Sequence, residues 1–373
     1  MPSVPEPVPG LRWGIVATGM IASWFVSDLV LPRSNPCATH TIKAVGSSNT
    51  AKAKKFVQAY IPSTTQSDVS CYGSYEEVYN DPNVNIVYIA TPHAFHKQNC
   101  LDAINAGKHV LCEKPFTINA REATAVIDAA REKSVFVMEG MWSRFFPIVA
   151  KLQELLFKQK IIGDINRTFV DFSLDMPLDE LPATLGAGSL LDIGTYSLTW
   201  ALLTLESSPG GSQVQRPKVS ASQTLVQGVD VSTSALLYYA DTGRHGLISS
   251  SLLYKTDDVF AKVEGSKGTL FLKGDTASMP DTIIVSLKPE NAQKDMGDKK
   301  PAASNAQDKR ELLFKFDELY GGKGFYHEAD ATALDIAAGH KESKTMPLGE
   351  TLRVMRILDE IRAQGGAKFP QDD

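Results

Sequence analysis

Short apolar runs alternate with segments of helical period along the first part of the chain. Residues 12–16, 41–45, 86–90, 109–112 and 135–138 are runs of strand length, and residues 21–29, 50–59, 75–79, 95–106 and 120–132 carry apolar positions at helical spacing. That alternation predicts an α/β doubly wound parallel sheet, because parallel strands need a crossover between them. Asn119 followed three residues later by Glu122 has the spacing of a capping box, which fixes the start of the last of these helices and satisfies two amides.

Beyond Pro147 the rhythm changes. After a helix at 148–158, strand-length runs at 165–172, 218–225, 234–239, 245–253, 261–264 and 268–272 follow with few helices between them, which predicts a mostly antiparallel sheet. Further helices are expected at 195–205, 326–338 and 348–362. The polar segment 288–309 reads as a mobile hairpin loop or insertion. The pattern divides the chain into a flexible proline-rich lead-in at 1–10, a doubly wound domain at 11–143 and an α+β domain at 144–373.

Composition narrows the function. The chain has 373 residues, 43% of them hydrophobic and 22% charged, enough for two separate cores. A net charge of -5 without a dense Lys/Arg block argues against a nucleic-acid partner. No apolar run approaches the roughly 18 residues of a membrane span. The amino terminus has neither the basic residue nor the apolar core of a signal or transit peptide. Cys37, Cys71, Cys100 and Cys112 lack C-x-x-C spacing, so reduced thiols in the cytoplasm are expected in place of disulfides or zinc.

Candidate chemistry clusters where strands end, since ligands of such sheets bind beyond the strand carboxyl ends. The first strand opens into Ala17, Thr18, Gly19, Met20 and Ile21, a dinucleotide-type turn with alanine in the first glycine position; an ordinary tight turn is the plainer reading. The second ends in Ser47, Ser48 and Asn49, followed by Lys52, Lys54 and Lys55, with no acid in reach. Hydroxyls and a lysine suit the 2'-phosphate of NADP, although such lysines also form solvated helix faces. Two later strands open into Thr91-Pro92-His93 and Glu113-Lys114-Pro115, and proline stiffens the backbone that positions Lys114. His93 and His96 have no acid or cysteine nearby to complete a metal site, so no metal is expected. Asp192 and Tyr196, four apart at a helix start, share a face; a tyrosine there is either an acid–base group, with Lys114 as the cation favouring its phenolate, or a packed core residue. Phe325, Tyr326, His327 and Glu328 open a helix that could line the cleft, with Glu328 readable as a dipole partner.

Several separated motifs in order resemble one family. Ala90-Thr91-Pro92-His93 with His96, the stretch from Ala106 to Pro115 and the stretch from Asp192 to Tyr196 are similar to the Gfo/Idh/MocA oxidoreductases. Within it, Leu11 to Val16, Met138 to Pro147 and Phe369 to Asp372 resemble the dimeric dihydrodiol dehydrogenases and the fungal NADP-dependent D-xylose 1-dehydrogenases. The resemblance runs over nearly the whole chain from Leu11 onward. It implies a Rossmann domain joined to an open-faced antiparallel sheet, NADP at the junction and a homodimer through that sheet. It also implies that Lys114 is the catalytic lysine, that Glu113 lies near the nicotinamide ribose, and that Thr91, Pro92, His93 and His96 serve the cofactor. Tyr196 and Asp192 fall on the acid–base tyrosine and the acid one turn earlier, with Trp142, Arg144 and Phe172 near cofactor or substrate. The activity implied is oxidation of the C1 hydroxyl of D-xylose or a related aldose to the lactone, Tyr196 taking the proton and Lys114 lowering its pKa. The alternatives are a trans-dihydrodiol dehydrogenase and a non-catalytic NADP-binding transcriptional regulator. Ala17 and the pair Ser47-Ser48, where animal dihydrodiol enzymes use arginine for the 2'-phosphate, depart from the pattern.

Overall fold

A computed structural model describes residues 8–178, 182–207, 216–289, 310–316 and 320–373. The first sheet contains β1 (Gly10–Val16), β2 (Thr39–Gly46), β3 (Ser70–Tyr72), β4 (Ile86–Ile89), β5 (His109–Glu113) and β6 (Val137–Gly140), in the order β3-β2-β1-β4-β5-β6. Every neighbouring pair is parallel. The crossovers carry α1 (Met20–Leu29), α2 (Thr50–Tyr60), α3 (Tyr75–Asn80), α4 (His96–Asn105) and α5 (Ala120–Lys133). All four residues of β4 are buried, as a central parallel strand covered on both faces requires. The strand order reverses between β1 and β4, so a crevice opens at their carboxyl ends.

The second sheet has the order β14-β13-β12-β11-β7-β10-β9-β8. Its strands are β7 (Ile165–Ser173), β8 (Lys218–Val226), β9 (Val229–Tyr239), β10 (Arg244–Ser251), β11 (Val259–Gly265), β12 (Gly268–Thr276), β13 (Met279–Leu287) and β14 (Arg310–Lys315). Neighbours are antiparallel except β7 and β10, which run parallel. Before it comes α6 (Pro147–Gln153), prolonged by a π-helical turn (Glu154–Lys158). Inside it lies α7 (Thr195–Leu205), whose 11 residues are all buried and which packs on β7 and β10. The chain closes with α8 (Tyr326–Ala337) and α9 (Leu348–Gly365); α9 packs on both α5 and β8, tying the two sheets' layers together. No helix among the described residues is long and apolar enough to cross a membrane.

Several boundaries differ from the periodicity. Gly10, placed in the lead-in by its neighbours, opens β1, and the Pro9 carbonyl accepts from the Thr39 amide. The last parallel strand starts at Val137, because Ser134 at φ 53 ends α5 and the Val135 amide caps that helix on Ala130. Asn119 does cap α5, accepting from the Glu122 amide at 3.0 Å, but the Glu122 carboxylate takes the Ile118 amide, so the box is half made. The complete box is Ser74 with Glu77, at the head of α3. β3 is too short for periodicity to reveal, and β13 and β14 flank the polar segment that obscured them. That segment, from residue 290 to 309, lies outside the described residues, as do residues 1–7 of the lead-in; the strands on either side of 290–309 pair antiparallel.

A buried ion network locks α9 to the second half. Arg353 reaches Glu206 through two hydrogen bonds of 2.9 and 2.7 Å and Glu350 through Nε at 2.8 Å, and both acids are buried. Removing the cation leaves Glu206 without its two-pronged partner and Glu350 with Arg144 alone, so Arg353→Met is expected to lose about 3 kcal/mol, measured by chemical denaturation.

Candidate active site

The crevice at the reversal point begins with the turn after β1. Ala17 adopts φ 78, a left-handed conformation that favours glycine, and its amide donates to the Gly46 carbonyl at 3.2 Å. Alanine therefore takes the backbone geometry of the glycine it replaces. Gly19 precedes α1, no side chain caps the helix, and a Cβ at Gly19 would meet nothing within 4 Å. The open space and uncapped amides fit a pyrophosphate held by backbone and helix dipole. Thr18 Oγ1 lies 2.9 Å from Ser47 Oγ, and Lys52 Nζ donates to Ser48 Oγ at 3.0 Å. Thr18, Gly19, Ser47, Ser48, Lys52 and Lys55 line one cleft of about 530 Å³, together with Tyr75. No carboxylate among the described residues lines it, which suits a phosphate in place of a ribose hydroxyl. Asn49 does something else: its side chain caps α2 through the Lys52 amide at 2.9 Å. Met20 is exposed and Ile21 half-buried, and neither lines the cleft.

At the next strand ends, His96 is buried and lies 2.8 Å from the Thr91 carbonyl and 2.9 Å from the Pro115 carbonyl, stapling the two loops together. Burial, aided by His93, pushes its pKa down to about 4, so the ring is neutral and only one of these contacts carries a proton. Lying between the two carbonyls, the ring shapes both loops. Asn99 likewise secures Thr91, donating to its hydroxyl at 3.0 Å. Pro92 is exposed, and His93 Nδ1 lies 3.1 Å from the Gly186 carbonyl.

Lys114, Asp192 and Tyr196 come together across the two halves of the chain. The Lys114 ammonium donates to the Asp192 carbonyl at 2.7 Å, lies 3.5 Å from Asp192 Oδ1, and stands 5.1 Å from the centre of the Tyr196 ring. Asp192 occupies the π-helical turn (Leu190–Gly194) that leads into α7, and Tyr196 follows in the first turn of that helix. Asp230 on β9 anchors this turn, accepting from the Leu190 amide at 2.7 Å and from Ser189 Oγ at 2.9 Å. Gly188, at φ 151, admits that carboxylate, since a Cβ there would stand 2.2 Å from Asp230 Oδ1. Burial pushes the Asp192 carboxyl up, but Lys114 and then His93 hold it below its ordinary value. Tyr196 Oη accepts a hydrogen bond of 2.6 Å from the Trp142 indole, and Phe172 meets the phenol ring edge-on at 5.5 Å.

The phenol does not rest as phenolate. Burial above all, then the Glu113 carboxyl and also Glu328 and Asp192, push the Tyr196 pKa well above its ordinary value. The Trp142 indole opposes this with its N–H pointed at the oxygen, while the Lys114 ammonium stands over the ring. Near Tyr196 are two buried acids that periodicity did not reveal. Tyr88 of β4 donates to Glu113, whose pKa burial raises to about 7. Glu328, in the first turn of α8, is fully buried with neither oxygen hydrogen-bonded, and burial with Glu113 nearby pushes its pKa well above the ordinary value. It is a neutral acid, not a charged dipole partner. The signal was Tyr88, a phenol inside an otherwise apolar central strand, which requires a partner.

Arg144 directs its charge to α9. Its buried guanidinium pairs with Glu350 of α9 at 3.1 Å, so the charge expected at the cofactor is engaged in packing α9. Among the described residues no group of three or more His, Cys, Asp or Glu side chains is arranged to hold a metal ion.

The chain belongs to the Gfo/Idh/MocA oxidoreductase family, whose NAD-binding Rossmann-fold model matches residues 11–141. It is 33% identical to the D-xylose 1-dehydrogenase (NADP(+)) of Hypocrea jecorina over 97% of this chain and 93% of that protein. It is 34% identical to the trans-1,2-dihydrobenzene-1,2-diol dehydrogenase of Mus musculus, over 97% of this chain and 99% of that one. Its fold is shared with the aldose-aldose oxidoreductase of Caulobacter crescentus, with a TM-score of 0.76 at 20% identity, over 96% of this chain and 98% of that one.

The raised Glu113 pKa makes stability pH-dependent. The folded chain keeps the Glu113 proton up to about pH 7, whereas the unfolded carboxyl, at its ordinary 4.5, has already released it, so this residue lowers stability as pH rises between those values. Glu113→Gln removes the penalty. Chemical denaturation of the nucleotide-free protein is expected to show no gain for Glu113→Gln near pH 4 and a gain approaching ~3 kcal/mol near pH 8.

Proposed function

We propose that the protein is an NADP-dependent dehydrogenase that oxidises the C1 hydroxyl of D-xylose or a related aldose to the lactone. The observation that carries this reading is the convergence of Lys114, Asp192 and Tyr196, with the ammonium 2.7 Å from the Asp192 carbonyl and 5.1 Å from the phenol ring. Bound NADP supplies a hydride acceptor. Lys114 donates to the sugar oxygen, Asp192 fixes the lysine, and Tyr196 exchanges the hydroxyl proton. Phe172 and Trp142 give the sugar an apolar wall. Preference for NADP is supported by Ser47, Ser48, Lys52 and Lys55 around a cleft without an acid, and by the Hypocrea relative.

A homodimer through the second sheet is supported by the half-buried row Phe169, Leu247 and Leu236, adjacent in register across β7, β10 and β9. The four free thiols suit a reducing compartment such as the cytoplasm. The aromatic surroundings of Tyr196 favour one second reading, oxidation of a trans-dihydrodiol, for which the mouse relative is named.

Initial rates with D-xylose and a cyclic trans-diol, each with NADP and with NAD, test both readings, and fastest turnover of xylose with NADP is expected. Lys114→Met and Tyr196→Phe should each lose about 100-fold or more in kcat, and near-normal turnover by either overturns the assignment. Because the phenol rests protonated, oxidation should accelerate toward alkaline pH. Trp142→Phe removes the donor that favours phenolate, so it should move that rise to still higher pH, which a pH–rate profile measures.

A further inference from the structure

Asp28 is a buried carboxylate outside the site described above. It lies in the last turn of α1, and its two oxygens accept from three consecutive amides far along the chain. The Lys323 amide is 3.0 Å from each oxygen, that of Gly324 2.7 Å from Oδ2 and that of Phe325 2.8 Å from Oδ2. Amides pointed at one carboxylate make charge-assisted bonds, stronger than neutral ones, and here they pin a strap to the helix. Lys323 adds a second hold, with its ammonium 4.2 Å above the ring of Trp24, one turn earlier on α1.

What the strap delivers is Phe325. Its ring stacks on Trp142 at 4.1 Å and an interplanar angle of 4°, and it meets Phe25 of α1 edge-on at 6.1 Å. Trp142, so seated, aims its indole N–H at Tyr196 Oη, 2.6 Å away. The opposite end of α1 begins at the open Gly19 turn, so one rigid helix joins the nucleotide cleft to the seat of the indole that orients the phenol.

We propose that Asp28 is a positioning residue for the reaction: by clamping Lys323 to Phe325 it seats the Phe325–Trp142 stack and thereby fixes the hydrogen bond that orients Tyr196. This rests on the dehydrogenase reading above for its consequence, though not for the seat itself. Asp28→Asn removes the charge and turns an amide donor toward the strap. It should lower kcat about 10-fold while changing KM for NADP less than about two-fold, since misplacing an acid–base group costs rate, not nucleotide binding. It should also weaken the near-ultraviolet circular dichroism of the stacked indole. In a Trp142→Phe protein the same substitution should lower kcat no further, because its route is already cut. A kcat loss of equal size in the Trp142→Phe background overturns the proposal, as does an unchanged dichroic band. Should Asp28→Asn fail to fold, Phe325→Leu decides: it leaves the clamp and removes the stack, so reduced kcat supports the proposal and normal kcat overturns it. If the wild-type protein turns over no sugar or diol, the dehydrogenase reading fails first, and the dichroic band of Asp28→Asn still decides whether the clamp holds the stack.

Discussion

The Lys114 ammonium bridges the two halves of the molecule at the point where their chemistry meets. Carried at the end of β5, it reaches the carbonyl and carboxylate of Asp192 at the head of α7, a contact between residues 78 apart in sequence. An ammonium mostly removed from water needs such acceptors, and supplying both from one residue fixes the turn before α7 relative to the first sheet. The position of Tyr196 follows, since it is one turn further along the same helix. Asp230 holds that turn from the other side, so the helix start is gripped from both sheets.

Around that bridge, the balance of charge is unusual. Glu113 and Glu328 are buried, Glu113 raises Glu328, both raise the Tyr196 phenol, and one nearby ammonium is engaged with Asp192. Burial penalises the charged form of each of these groups, and the phenol stays neutral.

Much of the first sheet was legible because its signals are local. Apolar strand runs, helix caps such as Asn119 and the turn at Gly19 depend on residues near in sequence, and they fell within a few positions of where periodicity put them. Lys114, Asp192 and Tyr196 could be singled out by residue type and motif order. Their convergence could not, because 78 residues separate the lysine from the acid and only packing of α7 on β7 and β10 brings them together. Arg144 shows the limit plainly: its motif pointed to the cleft, yet Glu350, 206 residues later, claims its charge.

The sequence by itself determined the alternation of strand and helix, the change to an antiparallel pattern after Pro147, the acid-free end of β2 and the identity of the polar groups at the strand ends. These follow from short-range periodicity and from which side chains can donate or accept. Tertiary structure alone decided which donor faces the Tyr196 oxygen, that His96 lies between two backbone carbonyls, and that Glu328 is buried without a partner. Those outcomes depend on desolvation and on direction at a single atom, and both are set by neighbours that arrive only when the chain has folded.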